Sequence, residues 1–248
     1  MSMKELLEVA DKNGFAVGAF NATESCLFRA VVEEAERLNA PAIIQVSPGE
    51  FNFATREFYT YVRERCANSR VPFALHLDHG KTLKEILSAI QAGFTSVMID
   101  GSHHAYEDNV ALTRKVVEYA HQFNVTVEGE LGQLAGIEDD VNVSAENASF
   151  TDPAQVQDFV ERTGVDSLAI AIGTSHGAYK FKPGQKPQLR FDILEEVGKR
   201  LPNFPIVLHG ASSVPQEFVE LNNKYGAKIP GAQGVPEEML AKAAKLGV

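Results

Sequence analysis

The amino-acid sequence predicts an α/β protein, a (β/α)8 TIM barrel, formed by one domain that spans residues 1–248. Short apolar runs alternate along the chain with segments of helical periodicity, which is the pattern of parallel βαβ units. Seven such units in 248 residues fit a barrel better than a doubly wound sheet. The first run is not followed by Gly-x-Gly-x-x-Gly, which weakens the dinucleotide-binding alternative.

The predicted elements follow one another in a regular order. Residues 1–14 have the pattern of an amphipathic helix rather than of a signal peptide. The seven apolar runs that predict strands are residues 15–21, 41–47, 72–79, 96–102, 126–132, 167–177 and 205–213. The helix-patterned segments between them are residues 26–39, 82–93, 109–123, 152–164 and 191–201. Residues 214–248 show helix and loop patterns without an eighth apolar run, so we expect a barrel that lacks strand eight and the helices after it.

The composition narrows the class of function. The chain is 44% hydrophobic and 23% charged, as soluble globular proteins are, and contains no apolar run of membrane-spanning length. The net charge of −10 argues against nucleic acid or an anionic membrane as a partner. Cys26 and Cys66 make no disulfide framework, and with no export signal the sequence predicts a cytoplasmic protein.

Polar side chains stand at the carboxyl ends of nearly all the predicted strands. Barrels of this kind carry their active sites at that rim. Ordinary polarity at strand–loop junctions explains one or two of these residues but not the whole set. They are Asn21, Ser47, Asp78, His79, Asp100, Glu130, His176 and His209.

Three of these residues predict a metal site. His79, His176 and His209 follow the third, sixth and seventh strands, and three imidazoles with an open position are typical of catalytic zinc. Cobalt or iron would fit similar ligands. Asp100 and Glu130 would hold a second metal or orient the imidazoles.

Two neighbours at the end of the third strand predict acid–base chemistry beside that metal. Adjacent strand residues point to opposite faces, so Asp78 and His79 face the same centre only if the strand ends there, with Gly80 allowing the turn. Asp78 then suits the role of acid/base. His76 faces the same side one layer deeper, as an interior or supporting group. Three other histidines are expected on the surface of a loop or helix: His103, His104 and His121.

The loops after strands six and seven suggest a phosphate site. Gly177 and Gly210 would let backbone N–H groups approach an anion. Ser212 and Ser213 add hydroxyl groups, and Lys180 adds a point charge that this acidic protein would need.

Five motifs carry a resemblance to a known family. They are "LHLDHG" (75–80), "SVMIDGSHHAYEDN" (96–109), "EGELGQLAGIEDDV" (128–141), "AIGTSHGAYKFK" (171–182) and "VLHGASS" (207–213). From about residue 4 onward the chain resembles the class II, metal-dependent fructose-1,6-bisphosphate aldolases. The resemblance implies a (β/α)8 barrel, usually a homodimer or homotetramer. It also implies reversible cleavage of fructose 1,6-bisphosphate to dihydroxyacetone phosphate and glyceraldehyde 3-phosphate.

The resemblance also implies roles for individual residues. His79, His176 and His209 match the zinc ligands, and Asp78 matches the acid/base. Asp100 and Glu130 match a second or displaced metal position, for a divalent or a monovalent cation. Ser47 matches a contact to the aldehyde half, and Glu138 a proton carrier on a mobile loop. The remaining substrate-binding residues are Asn21, Gly177, Lys180, Gly210, Ala211, Ser212 and Ser213, of which Gly177, Lys180, Gly210 and Ser212 match binders of the dihydroxyacetone phosphate end.

Four other interpretations stay open on the sequence. A tagatose-1,6-bisphosphate aldolase would use the same chemistry on a C4 epimer, although "LDHG" and "KFK" favour the fructose enzymes. A Schiff-base aldolase would need a lysine on a barrel strand, and the seven runs contain none. A metal-dependent hydrolase would not explain the phosphate-like loops. A non-catalytic binding protein would not need an intact metal and acid–base set.

Overall fold

A computed structural model of the chain describes residues 1–138, 141–144, 146–177, 179–181 and 187–248. The side chains of residues 137, 138, 141 and 142 lie outside this description. In chain order the elements are α1 (Met3–Asn13), β1 (Ala19–Asn21), α2 (Ser25–Leu38), β2 (Ala42–Val46), α3 (Pro48–Phe53), α4 (Arg56–Ala67), β3 (Phe73–Gly80), α5 (Leu83–Ala92), β4 (Ser96–Ile99), α6 (Tyr106–Ala120), β5 (Thr126–Leu131), β6 (Gly136–Glu138), β7 (Val141–Val143), α7 (Val156–Thr163), β8 (Ser167–Ile170), α8 (Phe191–Arg200), β9 (Ile206–Val207), α9 (Gln216–Lys224) and α10 (Glu237–Lys245).

Seven of the strands form one parallel sheet in the order β1-β2-β3-β4-β5-β8-β9. Each strand of the sheet therefore pairs with the strand of the next βα unit along the chain. The predicted α/β class with seven strands is confirmed. β6 and β7 form a separate antiparallel hairpin after β5, which the sequence pattern did not predict. Within the described ranges, β1 and β9 each have one strand neighbour and form the two edges of the sheet.

The sheet curls as a barrel wall does. His79 on β3 and His209 just beyond β9 are separated by four steps across the sheet. In a flat sheet, spacings of about 4.8 Å would hold them roughly 19 Å apart. Their ring centroids lie 4.6 Å apart, so curvature brings the ends of distant strands to one centre.

The two faces of the sheet carry different chemistry. On β3, Leu75 and Leu77 point outward into the apolar layer beneath the helices, whereas His76 and Asp78 point into the curl. At the amino ends of the strands, Met3 and Leu6 of α1 close the interior against Ile43 and Ala74. The opposite end, where the polar groups gather, lies under loops.

The connecting helices are set by local caps. Thr82 and Glu85 form a capping box at the start of α5, and Gly93 ends that helix in the left-handed region. Ser47 and Glu50 form the same box at α3. None of the described helices is both long enough and apolar enough to cross a membrane.

Candidate active site

The end of β3 departs from the expected geometry. β3 ends at Gly80, one residue beyond the predicted end at His79, and the break in strand alternation comes at His79 rather than in a turn at Gly80. The pairing with β4 shifts register between Leu77 and Gly80, and His79 has φ of 48°. A left-handed residue other than glycine is strained, and here it breaks the strand alternation. Asp78 and His79 therefore reach the same centre, with His79 Nε2 3.9 Å from Asp78 Oδ1.

The three predicted imidazoles come together. The His79 ring centroid lies 4.9 Å from that of His176 and 4.6 Å from that of His209, and the latter two are 6.5 Å apart. All three side chains are buried. The backbone N–H of His176 donates to the carbonyl of Ala135, which ties the loop after β8 to the segment before the hairpin.

Asp100 and Glu130 face His79 from β4 and β5. His79 Nδ1 hydrogen-bonds to Asp100 Oδ2 at 3.2 Å and lies 3.8 Å from Glu130 Oε2. Burial would raise the pKa of Asp100, but hydrogen bonds from His79 and Ser102 outweigh it and hold that pKa below its ordinary value. Burial, and next the Asp100 charge, raise the pKa of Glu130 well above its ordinary value.

These side chains fit a cation. Donor atoms within 4.8 Å of one another form two groups, Asp78–His79–His209 and His79–Asp100–Glu130. Asp78 Oδ1, His79 Nε2 and Glu130 Oε2 are buried without a hydrogen-bond partner, which is costly unless something else satisfies them. The two groups share His79, so they would offer two adjacent positions for a cation. His176 is outside both groups, although its ring adjoins His79.

Glu128 is a site residue that the sequence reasoning missed. His209 Nε2 donates to Glu128 Oε1 at 2.7 Å, and His209 Nδ1 lies 3.5 Å from Asp78 Oδ1. Burial opposes a charge on His209, but Asp78 and the Glu128 hydrogen bond outweigh it and raise its pKa to about 10. His76 lies inside the curl as expected, with Nδ1 2.8 Å from Ser96 Oγ, and burial lowers its pKa.

A second missed residue, Gln45, links Asp78 to the first two strands. Gln45 Nε2 donates to Asp78 Oδ2 at 2.9 Å and to Asn21 Oδ1 at 3.0 Å. Asn21 in turn donates to Glu50, the capping partner of Ser47. Asn21 and Ser47 thus belong to one polar chain that ends on Asp78.

The predicted phosphate residues flank His176 and His209. Gly177 and Gly210 have φ of 82° and 62°, and a Cβ on Gly210 would lie 2.6 Å from the Ser175 carbonyl oxygen. Lys180 is buried, and its backbone N–H donates to Gln233. Ser212 is exposed and accepts a hydrogen bond from the Val235 N–H through its carbonyl. Ala211 and Ser213 are half-buried beside it.

A cavity of about 200 Å³ opens beside the donor group His79–Asp100–Glu130. Its wall includes His79, Asp100, Glu130, Lys81 and His103. His103 and His104 are exposed as predicted, while His121 follows α6 and pairs with Asp166. The side chain of Glu138, the predicted proton carrier, lies outside the described residues.

The sequence held a signal for both missed residues. Gln45 is the single polar residue within the run Ala42–Val46, and Glu128 precedes Glu130 by two positions on the same face of β5. A polar group that interrupts a buried run indicates an interior partner.

Comparison with known proteins agrees with the resemblance that the five sequence motifs indicate. The family model described as "Fructose-bisphosphate aldolase class-II" matches residues 1–248. Fructose-bisphosphate aldolase from Treponema pallidum (strain Nichols) is 48% identical, with 100% of this chain and 80% of the relative covered. The enzyme of that name from Thermus caldophilus is 46% identical, with 98% of this chain and 79% of the relative covered. Among solved structures, the YdjI aldolase from Escherichia coli K12 superposes with a TM-score of 0.79 at 28% identity, covering 100% of this chain and 78% of that one.

Proposed function

The chain belongs to the class II fructose-bisphosphate aldolase family, and on that premise we propose that it reversibly cleaves fructose 1,6-bisphosphate with zinc as its cofactor. The products are dihydroxyacetone phosphate and glyceraldehyde 3-phosphate. The observation that carries the proposal is the convergence of three buried imidazoles with Asp78, Asp100 and Glu130 at one end of the curled sheet.

His79, His176 and His209 would hold the zinc ion, and Asp100 with Glu130 would offer a second or displaced position for a divalent or monovalent cation. When bound, the metal supplies Lewis-acid stabilisation of the negative charge that develops on the dihydroxyacetone phosphate half. Three neutral donors with an open position favour zinc.

Asp78 is the proposed acid/base. Cleavage of the C3–C4 bond requires removal of the proton on the C4 hydroxyl, and the reverse reaction returns it. Gln45 holds one Asp78 oxygen at 2.9 Å, and the other oxygen, Oδ1, has no hydrogen-bond partner. A carboxylate oriented through one oxygen and open at the other is suited to taking that proton.

The substrate's phosphates need a local positive environment in a chain of net charge −10. Lys180, with the backbone at Gly177 and Gly210 and the hydroxyls of Ser212 and Ser213, would bind the dihydroxyacetone phosphate end, with Ala211 in the same loop. Ser47 and Asn21, which share the Glu50 carboxylate, would contact the aldehyde half.

Glu138 is the proposed second proton carrier. The carbon of the dihydroxyacetone phosphate half that loses its bond must gain a proton, and a loop that closes over the site would deliver it. Support comes from the position of Glu138 on β6, directly after the segment that packs against the His176 backbone.

We further propose a cytoplasmic homodimer or homotetramer without nucleic-acid or membrane partners. The acidic net charge supports the absence of those two partners, because both nucleic acid and anionic lipid would repel the chain, and the oligomeric state is proposed from the family resemblance. Light scattering coupled to size-exclusion chromatography would measure the oligomeric state.

One experiment tests the reaction. A coupled assay follows triose phosphate release from fructose 1,6-bisphosphate and, separately, from tagatose 1,6-bisphosphate, before and after EDTA treatment. We expect fructose to be preferred and EDTA to abolish the activity. Faster tagatose cleavage would overturn the substrate assignment. None of the described strands contains a lysine, so borohydride should trap no adduct with dihydroxyacetone phosphate.

A further inference from the structure

We propose that Glu128 is a positioning residue that accepts the Nε2–H of His209 and thereby turns the Nδ1 of that imidazole toward the metal. The inference rests on the proposed zinc-dependent function and adds a residue to it.

The contact between Glu128 and His209 is short and shielded. Oε1 of Glu128 lies 2.7 Å from Nε2 of His209, and the two residues are 1% and 8% exposed. A carboxylate accepts here and cannot donate when ionised, so the proton of this bond belongs to Nε2. Nδ1 is left as the nitrogen that can ligate.

The remaining geometry gives Nδ1 one direction. It lies 3.5 Å from Oδ1 of Asp78, an atom that has no hydrogen-bond partner and belongs to the donor group Asp78–His79–His209. Nε2 thus faces the Glu128 carboxylate, and Nδ1 faces the donor group Asp78–His79–His209. Carboxylate–histidine–zinc arrangements use this division, which fixes the ring and strengthens the ligand.

Glu128 is well placed to fix that ring. It lies on β5, which pairs with β4 on one side and β8 on the other, and every residue of β5 is buried. His209, by contrast, lies in the loop beyond the two-residue strand β9. A rigid central strand therefore orients a ligand carried by a less regular segment.

His76 competes only weakly for the carboxylate. Its Nε2 lies 3.8 Å from Glu128 Oε2, beyond hydrogen-bond distance, and its Nδ1 is bonded to Ser96 Oγ. Ser96→Ala is therefore a matched control. It removes the buried hydrogen bond between Ser96 and His76, the neighbour of Glu128, and leaves the Glu128–His209 bond in place.

The first measurement is the zinc dissociation constant, obtained by competition with a chromophoric chelator. We expect Glu128→Ala to bind zinc about 10–100-fold more weakly, the range for removing a carboxylate behind a ligating histidine. Glu128→Gln keeps an acceptor oxygen and should lose less. Ser96→Ala should bind as the wild type does. A folded Glu128→Ala protein, checked by circular dichroism, with the wild-type constant would overturn the proposal.

The second measurement is nitrogen NMR of histidine-labelled protein, with His209 assigned by its absence in His209→Asn. We expect zinc-loaded wild-type protein to show a metal-bound Nδ1 and a proton on Nε2 that exchanges slowly with water. In metal-free protein the Nε2 proton should persist, and in Glu128→Ala it should exchange rapidly. A zinc-bound Nε2 in the wild type would overturn the proposal even if the alanine variant did not fold.

The two levels of failure are distinguishable. A wild-type protein that binds no zinc would overturn the proposed function and this inference together. A wild-type protein that binds zinc and cleaves the bisphosphate, while Glu128→Ala binds zinc equally well, would overturn the role of Glu128 alone.

Discussion

Replacing Asp78 with alanine tests whether its proposed proton-transfer role is separate from metal binding. Asp78 is 3% exposed and contacts the site through both oxygens: Gln45 holds Oδ2 at 2.9 Å, and His209 Nδ1 lies 3.5 Å from Oδ1. Alanine leaves Gln45 with its second acceptor, Asn21, at 3.0 Å. The substitution therefore removes the proton acceptor and leaves the neighbouring amide with a partner.

The magnitude follows from the role. A positioned acid/base contributes about 10²–10⁴-fold to kcat. At 1.36 kcal/mol for each factor of ten, that is about 3–5 kcal/mol of transition-state stabilisation. Zinc content should stay near that of the wild type, because His79, His176 and His209 remain.

The assay needs two readouts on the same sample. Zinc per chain is measured by mass spectrometry of the metal, and kcat by the coupled assay, so that activity is expressed per bound zinc. Asp78→Asn is the matched control: it keeps the shape and an acceptor for Gln45 but cannot take a proton, so its kcat should fall as far.

Asp78 belongs to a donor group with His79 and His209, so it could itself ligate the metal instead of transferring a proton. A variant that loses zinc but turns over normally per bound zinc would make Asp78 a metal ligand. The acid–base assignment would then be wrong.

Four further outcomes are expected. EDTA should abolish cleavage and added Zn²⁺ should restore it, and full activity in demonstrably metal-free protein would end the zinc proposal. Hydrogen bonds from Arg65 and then Ser69 lower the pKa of Glu36 to about 2. Its unfolded value is about 4.3, so the stabilisation is present above that pH and is lost as pH falls through about 2. The difference in melting temperature between wild type and Glu36→Gln should therefore become smaller as pH falls from 5 to 2. A constant difference would refute the contribution of the Glu36 charge to stability. Gly136→Ala places a Cβ 2.5 Å from the His176 carbonyl oxygen at a φ of 114°, so zinc affinity measured by chelator competition should fall, and an unchanged constant would count against this contact. Phe159→Ala empties a side chain with 0% exposure and should lower the free energy of unfolding by about 3–5 kcal/mol in denaturant titration, whereas a loss below 1 kcal/mol would mean that the core refills.

The strands of the sheet could be predicted from the sequence because each depends on a local apolar pattern. Apolar runs predicted all seven sheet strands, although β8 and β9 occupy only the first residues of their runs. The rest of those runs forms the loops that carry His176 and His209. Periodicity marks residues that are buried, and burial alone does not distinguish a strand from a loop packed over a site.

Two helices, of six and twelve residues, and a hairpin were not predicted from the sequence. α3 and α4 lie between β2 and β3, and α3 has six residues, too few to show a helical period. The strands β6 and β7 have three residues each and pair only with each other. Pairing of that kind depends on the loop above the site rather than on a repeating pattern.

The site was predicted as a set of residues but not as a geometry. Strand-end position singled out His79 and Asp78 as candidates, yet a left-handed histidine one residue before the end of a strand has no sequence signature. Glu128 and Gln45 were missed because their role comes from partners on distant strands: His209 is 81 residues from Glu128 along the chain. Contacts of that separation are set by tertiary packing.

The left-handed backbone at His79 has a consequence for protein engineering. A residue other than glycine held in that region costs on the order of 1–3 kcal/mol, and asparagine or glycine would relieve part of that cost. A library selected only for heat resistance would therefore tend to discard this histidine. Thermostabilisation of this chain should be screened for turnover in the same round, because His79 is a proposed zinc ligand and its replacement would then trade activity for stability.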